Sequence, residues 1–287
     1  MPDILDQLAY KSGQEPFHED TVIIPLLTLK GITHAISMGP ASQNMAESFN
    51  FSGVGLSAIQ KEFLQKNSLS DFSTAYISHV PRPEEDKLID ITKPNKSGAS
   101  LAVPAEGMFT TLPGVPLIHK PADCPTAIIY GKSSTGNAVL GLIHLGRPQV
   151  NNRTTETALE HLEKKYDVDL TTITVGISPS ISPSHYFIKE QDQVAKNILD
   201  LSYWDGYVKR NEINHQPVLQ VNVLGKILSV LSEFGVPEQN IQAYGHSPEV
   251  DTYTLAAKNP PLAFSHRYAI STNQPEKNGR IMVACEL

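Results

Sequence analysis

Cysteine is nearly absent from this chain: Cys124 and Cys285 are the only two in 287 residues. At most one bridge could form, which excludes a disulfide scaffold. Long apolar runs are missing too. No window approaches the roughly 18 consecutive apolar residues that a membrane span requires, and the opening Met-Pro-Asp-Ile-Leu-Asp lacks the basic start of a signal peptide. Basic charge is also in short supply. With 23 Lys and Arg against 30 Asp and Glu, the formal net charge is −7, which argues against a general nucleic-acid binder. No internal repeat divides the chain. What is present is an apolar content of 40%, enough to bury a large core in a chain of this length. These features predict a cytoplasmic protein acting on a small molecule, with no nucleic-acid or membrane partner. They leave its oligomeric state open.

The most informative stretch is Lys-Pro-Ala-Asp-Cys-Pro, from Lys120 to Pro125, followed after an apolar run by His144 in Ile-His-Leu-Gly-Arg. Thr126 to Tyr130 and Val139 to Ile143 read as strands, with the polar Gly131 to Asn137 between them as a turn. If the strands pair as a hairpin, Cys124 and His144 fall at the same end. A third donor would complete a catalytic zinc set. His79, at the end of the β-rich Ser73 to Val80, is the best candidate. Two imidazoles and one thiolate leave a coordination position open for water or a substrate oxygen. Taken singly, each residue also has a plainer reading, as a buried thiol or a packed histidine.

The rest of the chain alternates helix and strand signals. Residues 54 to 69 place Leu56, Ile59, Phe63 and Leu64 at helical spacing, with Ser57 as N-cap. Pro81 to Ser100 is polar and proline-rich and reads as a long excursion that could flank the site as a lid. Thr154 to Tyr166 is a charged helix with Leu159 and Leu162 inward, and Thr172 to Ile177 is a strand. A helical pair is expected between Gln191 and Phe234. The first member carries Val194, Ile198 and Leu199; the second carries Leu219, Val223, Leu224, Ile227, Leu228 and Leu231. Ile241 to Tyr244 and Ile281 to Cys285 read as strands, with Cys285 a strand-packing thiol. The fold class is α+β.

Five short motifs in order, from about residue 31 onward, resemble the laccase-domain family, once described as multicopper polyphenol oxidases and linked to purine nucleoside phosphorylase activity. They are Gly31-Ile-Thr-His-Ala-Ile-Ser-Met-Gly39 leading to Asn50; Ile77-Ser78-His79; Ala122-Asp123-Cys124 with His144-Leu145-Gly146-Arg147; Ile177 to Ile188; and Ala263-Phe264-Ser265-His266-Arg267 with Asn278-Gly279-Arg280. The chain departs from the family pattern at Met38, where the family has Arg, at Leu145, and at Arg147-Pro148-Gln149, which replaces Trp-Arg-Gly. The resemblance implies a single domain over residues 1 to 287, with mixed β-sheets packed together and helices on the outside, as α/β/β/α layers. It implies zinc held by His79, Cys124 and His144, and a purine nucleoside and phosphate as substrates, with adenosine deamination as a further activity. Arg267 and Arg147 are the phosphate candidates, because a guanidinium fork matches an oxyanion. Asn50 is a candidate contact for ribose or base.

Asp123 is the candidate catalytic acid–base residue, with a second role weighed beside it. Neighbouring residues of an extended strand face opposite ways, so Asp123 is expected to orient a ligand or a backbone group; if the chain turns at Pro121 and Pro125, it becomes a general base. His119, His185, His246 and His266 lie near the motifs as pocket-wall residues. Two other readings stand beside the zinc enzyme: a metal-free Cys124–His144 hydrolase, and a non-catalytic relative that retains the ligands. A coupled copper oxidase does not fit, because none of the ten histidines forms a His-x-His pair.

Overall fold

The computed structural model describes residues 17–18, 21–38, 56–69, 75–79, 87–96, 100–200, 202–244, 248, 251–258 and 261–287. Three sheets carry the chain. The first runs, in spatial order, β1 (Phe17–His18), β2 (Thr21–Val22), β3 (Thr33–Ser37), β16 (Val283–Glu286), β8 (Leu117–His119), β4 (Tyr76–His79) and β6 (Leu101–Pro104). The second runs β15 (Ile241–Ala243), β11 (Thr174–Ile177), β9 (Thr126–Lys132), β10 (Ala138–His144), β7 (Gly107–Thr110) and β5 (Leu88–Ile91). The third is small, with β12 (Phe187–Lys189), β14 (Gln216–Val221) and β13 (Val208–Ile213).

Strand alternation explains how the two large sheets stack. In β10, Leu140 and Leu142 face one core and Val139 and Ile143 another. In β16, Val283 and Cys285 face the core shared with Leu140 and Leu142, while Ala284 faces a third. Successive side chains point to opposite faces. The shared core therefore lies between the sheets, and each outer face is covered by helices. Phe63 and Leu64 cover the first sheet, from α2 (Ala58–Lys66), which follows the short α1 (Pro25–Thr28). The second is covered by α4 (Thr154–Tyr166) and α6 (Val223–Glu233), through Leu159, Leu162, Ile227 and Leu231. Each such side chain contributes about 1.5–3 kcal/mol on burial. The expected layer order of helix, sheet, sheet, helix is the observed one. No helix among the described residues is long and apolar enough to cross a membrane.

Local signals act as expected at several points. Ser57 accepts a hydrogen bond from the Gln60 N–H, and the Gln60 side chain accepts from Ser57 N–H, a capping box worth about 1 kcal/mol. The expected hairpin forms and puts Cys124 and His144 at one end, with His144 opposite Thr126. Cys285 is a fully buried strand thiol, and burial pushes its pKa up.

Three expectations need correction. Leu219 is not helical but lies in β14, paired with Arg210 of β13. The hairpin turn is Asn214-His215, both at positive φ (51° and 61°), and a His in the second place hides the usual Asn-Gly signal. Helix α6 starts only at Val223, capped by Asn222, whose side chain accepts from Gly225 N–H. The first helix of that pair, α5 (Gln193–Leu199), buries Ile198 but leaves Leu199 39% exposed. The excursion from Pro81 to Ser100 contains β5, an edge strand whose Asp90 faces helix α4 and bonds His161. Ile89 and Ile91 pack into the core between the sheets and Leu88 into the other, an alternation only four residues long that the surrounding polar stretch hides.

Candidate functional site

The hairpin brings Cys124 and His144 together. A Cβ built on Gly146 would stand 2.9 Å from Cys124 Sγ, 3.0 Å from His144 Nε2 and 2.8 Å from Gln149 Oε1, so these three atoms flank one small space. Cys124 Sγ thus stands on the Nε2 side of the His144 ring. On its other edge, His144 Nδ1 lies 2.7 Å from Glu106 Oε2, and Gln149 Nε2 donates to Glu106 Oε1 at 3.0 Å. Glu106 is fully buried, directly before β7, and its carbonyl also accepts the His144 N–H at 2.7 Å. Burial alone would lower the His144 pKa, but the bonds and charges of Cys124 and Glu106 outweigh it and raise the value to about 9.

Gln149 sits where the sequence departs from the family pattern. Because a carboxylate only accepts, the Gln149 amide nitrogen must face Glu106. Its buried Oε1 then turns toward Gly146 and has no hydrogen-bond partner. It begins no motif and was legible only as a polar residue after Arg147-Pro148.

His119 closes β8, with its ring centroid 4.6 Å from that of His144. Its Nδ1 lies 2.7 Å from Thr126 Oγ1. Burial, followed by the charges of His144 and Arg280, holds its pKa well below 6.5. His119, Cys124 and His144 line a pocket of about 390 Å³ with Lys120, Arg147, Arg267 and Arg280. Burial lowers the Lys120 pKa to about 8.

Arg147 opens α3 (Arg147–Asn151), where the close approach at Gly146 turns the chain into the helix. Its buried Nε has no hydrogen-bond partner, and its side chain makes no ion pair among the described residues. Arg267 lies in the first turn of α8 (His266–Thr272), which follows α7 (Thr252–Ala257). Its guanidinium stands 4.8 Å above the Tyr186 ring, and Nη1 donates to Phe187 O at 3.3 Å. Asp123 is buried, and both of its oxygens are engaged. Oδ1 accepts from Thr252 Oγ1 at 2.8 Å and Oδ2 from Arg267 N–H at 2.9 Å.

The backbone of His79 ends β4 opposite Pro104, two positions before Glu106, and Ser78 Oγ donates to Ala105 O at 2.6 Å. The topology thus carries strand β4 to the segment that holds His144. The His79 side chain and all of Asn50 lie outside the described residues, as does His246. Among the described residues, no group of three or more His, Cys, Asp and Glu could hold a metal ion. Glu106, like Gln149, is a residue that sequence reasoning missed. It lies 38 positions from its partner in Pro-Ala-Glu-Gly, where only a charge directly before an apolar strand marks it.

No curated protein matches the chain. Solved structures do. YfiH of Bacillus licheniformis superposes with a TM-score of 0.69 at 17% identity, covering 95% of this chain and 98% of that one. YlmD of Geobacillus stearothermophilus gives 0.70 at 17% identity, covering 95% and 97%. A Neisseria meningitidis protein of family DUF152 gives 0.55 at 13%, covering 96% and 97%. At these identities the likeness is one of fold. The family model described as "Multi-copper polyphenol oxidoreductase laccase" matches residues 67–286, a span that holds Cys124, His144, Arg147 and Arg267. Matched over most of its length by that model, the chain belongs to the multi-copper polyphenol oxidoreductase laccase family.

Proposed function

We propose that this chain is a zinc-dependent purine nucleoside phosphorylase, with adenosine deamination as a further activity of the same site. The observation that carries the reading is the meeting of Cys124 and His144 in a pocket whose wall includes Arg147 and Arg267. Two donors support zinc: a soft sulfur and an imidazole flank one space, and Glu106 bonds the imidazole from behind. Gln149 Oε1, buried without a partner, faces that same space. His79 would be the third ligand. A bound zinc ion would supply a Lewis acid that polarises a substrate oxygen.

The chain's own residues supply the rest. Arg147 and Arg267 hold phosphate against the anomeric carbon. There the C1′–N bond breaks with its electron pair passing to the base, and a phosphate oxygen forms the new C1′–O bond. The proton lost by hydrogen phosphate is balanced by one gained by the departing base. Lys120 and Arg280 add positive charge to the pocket wall. Asp123 acts by holding the backbone of Arg267; as general base in deamination it would have to release one of its two partners. Asn50 is assigned to ribose or base.

One observation favours a second reading. Cys124 stands beside His144 Nε2 and Glu106 bonds Nδ1 of the same ring, a thiol, imidazole and carboxylate in series, the arrangement of a metal-free cysteine hydrolase. Incubating purified protein with inosine or adenosine and phosphate separates the two. Free base with ribose 1-phosphate, together with stoichiometric zinc that is lost in Cys124→Ala, supports the phosphorylase. Zinc bound without either product would identify a non-catalytic relative. Iodoacetamide labelling of Cys124 at low pH, in protein purified without zinc, would favour the hydrolase.

A further inference from the structure

Arg147 and Arg267 line two hollows at once: the pocket at Cys124 and His144, and an adjoining groove of about 730 Å³. On the groove side stands His185. Its Nδ1 lies 2.7 Å from Asp251 Oδ2, and Asp251 is fully buried. The same oxygen accepts from the Ser182 N–H at 3.0 Å and the Ser182 hydroxyl at 2.7 Å, and Oδ1 accepts from Thr254 N–H at 2.8 Å. An ionised carboxylate only accepts, so Nδ1 carries a proton and donates it. Tyr253 stacks on the imidazole at 4.4 Å and 13°, which fixes the ring plane.

The ring is thus held in one tautomer and one orientation, while Nε2 makes no hydrogen bond to any described residue. Satisfying Asp251 does not explain this, because Ser182 and Thr254 already give it three donors. Nor do the neighbours explain it. The guanidinium groups of Arg147 and Arg267 pair with no carboxylate among the described residues, and Asp192, the one acid lining the groove, makes no ion pair with either. Two guanidinium groups and a fixed imidazole around one hollow describe a site for an oxyanion.

We infer that His185 is a third ligand for the anion held by Arg147 and Arg267, and that its Nε2, an acceptor in this tautomer, selects hydrogen phosphate by accepting its P–O–H proton. Sulfate has the same shape and charge but no such proton. A phosphate monoester has lost its own at mildly alkaline pH. The groove side of the arginine pair is therefore specific for inorganic phosphate, with Asp251 as a positioning residue behind His185. The inference shares with the phosphorylase reading the assignment of the two arginines to an anion, and it requires no turnover.

Calorimetric titration of the full chain at about pH 8 with inorganic phosphate, sulfate and ribose 1-phosphate tests it. Wild type is expected to bind phosphate more tightly than either competitor. His185→Phe should weaken phosphate about tenfold, the loss of one hydrogen bond to a charged group, and leave sulfate within about twofold. His185→Gln, which keeps a polar end, guards against a folding defect in the Phe variant and should recover part of the loss. Equal weakening of phosphate and sulfate, or no change in phosphate in either folded variant, overturns the assignment of His185. Phosphate binding without phosphorolysis removes the phosphorylase reading alone. Failure of wild type to bind phosphate removes both.

Discussion

Glu106 and His144 form a buried pair, Oε2 to Nδ1 at 2.7 Å, which fixes the ring so that Nε2 faces Cys124 and the space beside Gly146. A carboxylate behind a ligand histidine raises its basicity and holds its tautomer. Glu106→Gln keeps the shape but removes the charge. It is expected to lower zinc affinity about 10–100-fold, the usual effect of losing such a partner. Competition against a chromophoric chelator reads this directly, and unchanged affinity would remove Glu106 from the metal-binding scheme.

Gly146 is required for closeness rather than for conformational freedom, since its φ of −61° suits any residue. A Cβ there would lie within 3.0 Å of Cys124 Sγ, His144 Nε2 and Gln149 Oε1. Gly146→Ala should cost about 1–3 kcal/mol as an overpacked site. It should also reduce bound zinc, because the methyl takes the space between the donors. Denaturant unfolding and metal analysis of the same preparation measure the two effects.

His34 ties two backbone segments together, its Nε2 accepting from Ile24 N–H at 2.8 Å and its Nδ1 donating to Ile32 O at 2.9 Å. Burial holds its pKa below 6.5, opposed by the Ile32 bond. The unfolded chain therefore binds the proton first. The stabilisation is fully present above about pH 6.5 and is lost as pH falls toward the depressed folded value, by at most about 1.4 kcal/mol per pH unit. His119, buried and neutral, acts in the same direction. Urea unfolding from pH 6.5 to 5, below the range in which His144 with its pKa raised to about 9 acts the opposite way, should show the decline, and His34→Ala should be less stable throughout and flatter. An equal slope in wild type and variant would show that His34 is not the group.

Much of this fold was legible because its elements announce themselves locally. The helix from Thr154 to Tyr166 was read to the residue, as was the cap at Ser57. The Thr126–Tyr130 and Val139–Ile143 runs marked the hairpin that joins Cys124 to His144. Leu219 misled because its apolar neighbours fit either period, and only the turn at Asn214-His215 resolves them. The supporting residues were hidden for another reason. Glu106 and Gln149 reach His144 through tertiary contacts that no spacing encodes, and His185 acquires its role only when Asp251 arrives from 66 positions away.

Asp123 couples the bend that carries Cys124 to the arginine side of the pocket: one of its oxygens grips the amide of Arg267, the other the hydroxyl of Thr252, which directly follows the partner of His185. A substitution at position 123 would shift both anion ligands before any proton moved. An inert Asp123→Ala enzyme would thus report a dislocated scaffold, whereas Thr252→Val, cutting only one of the two tethers, would grade the damage.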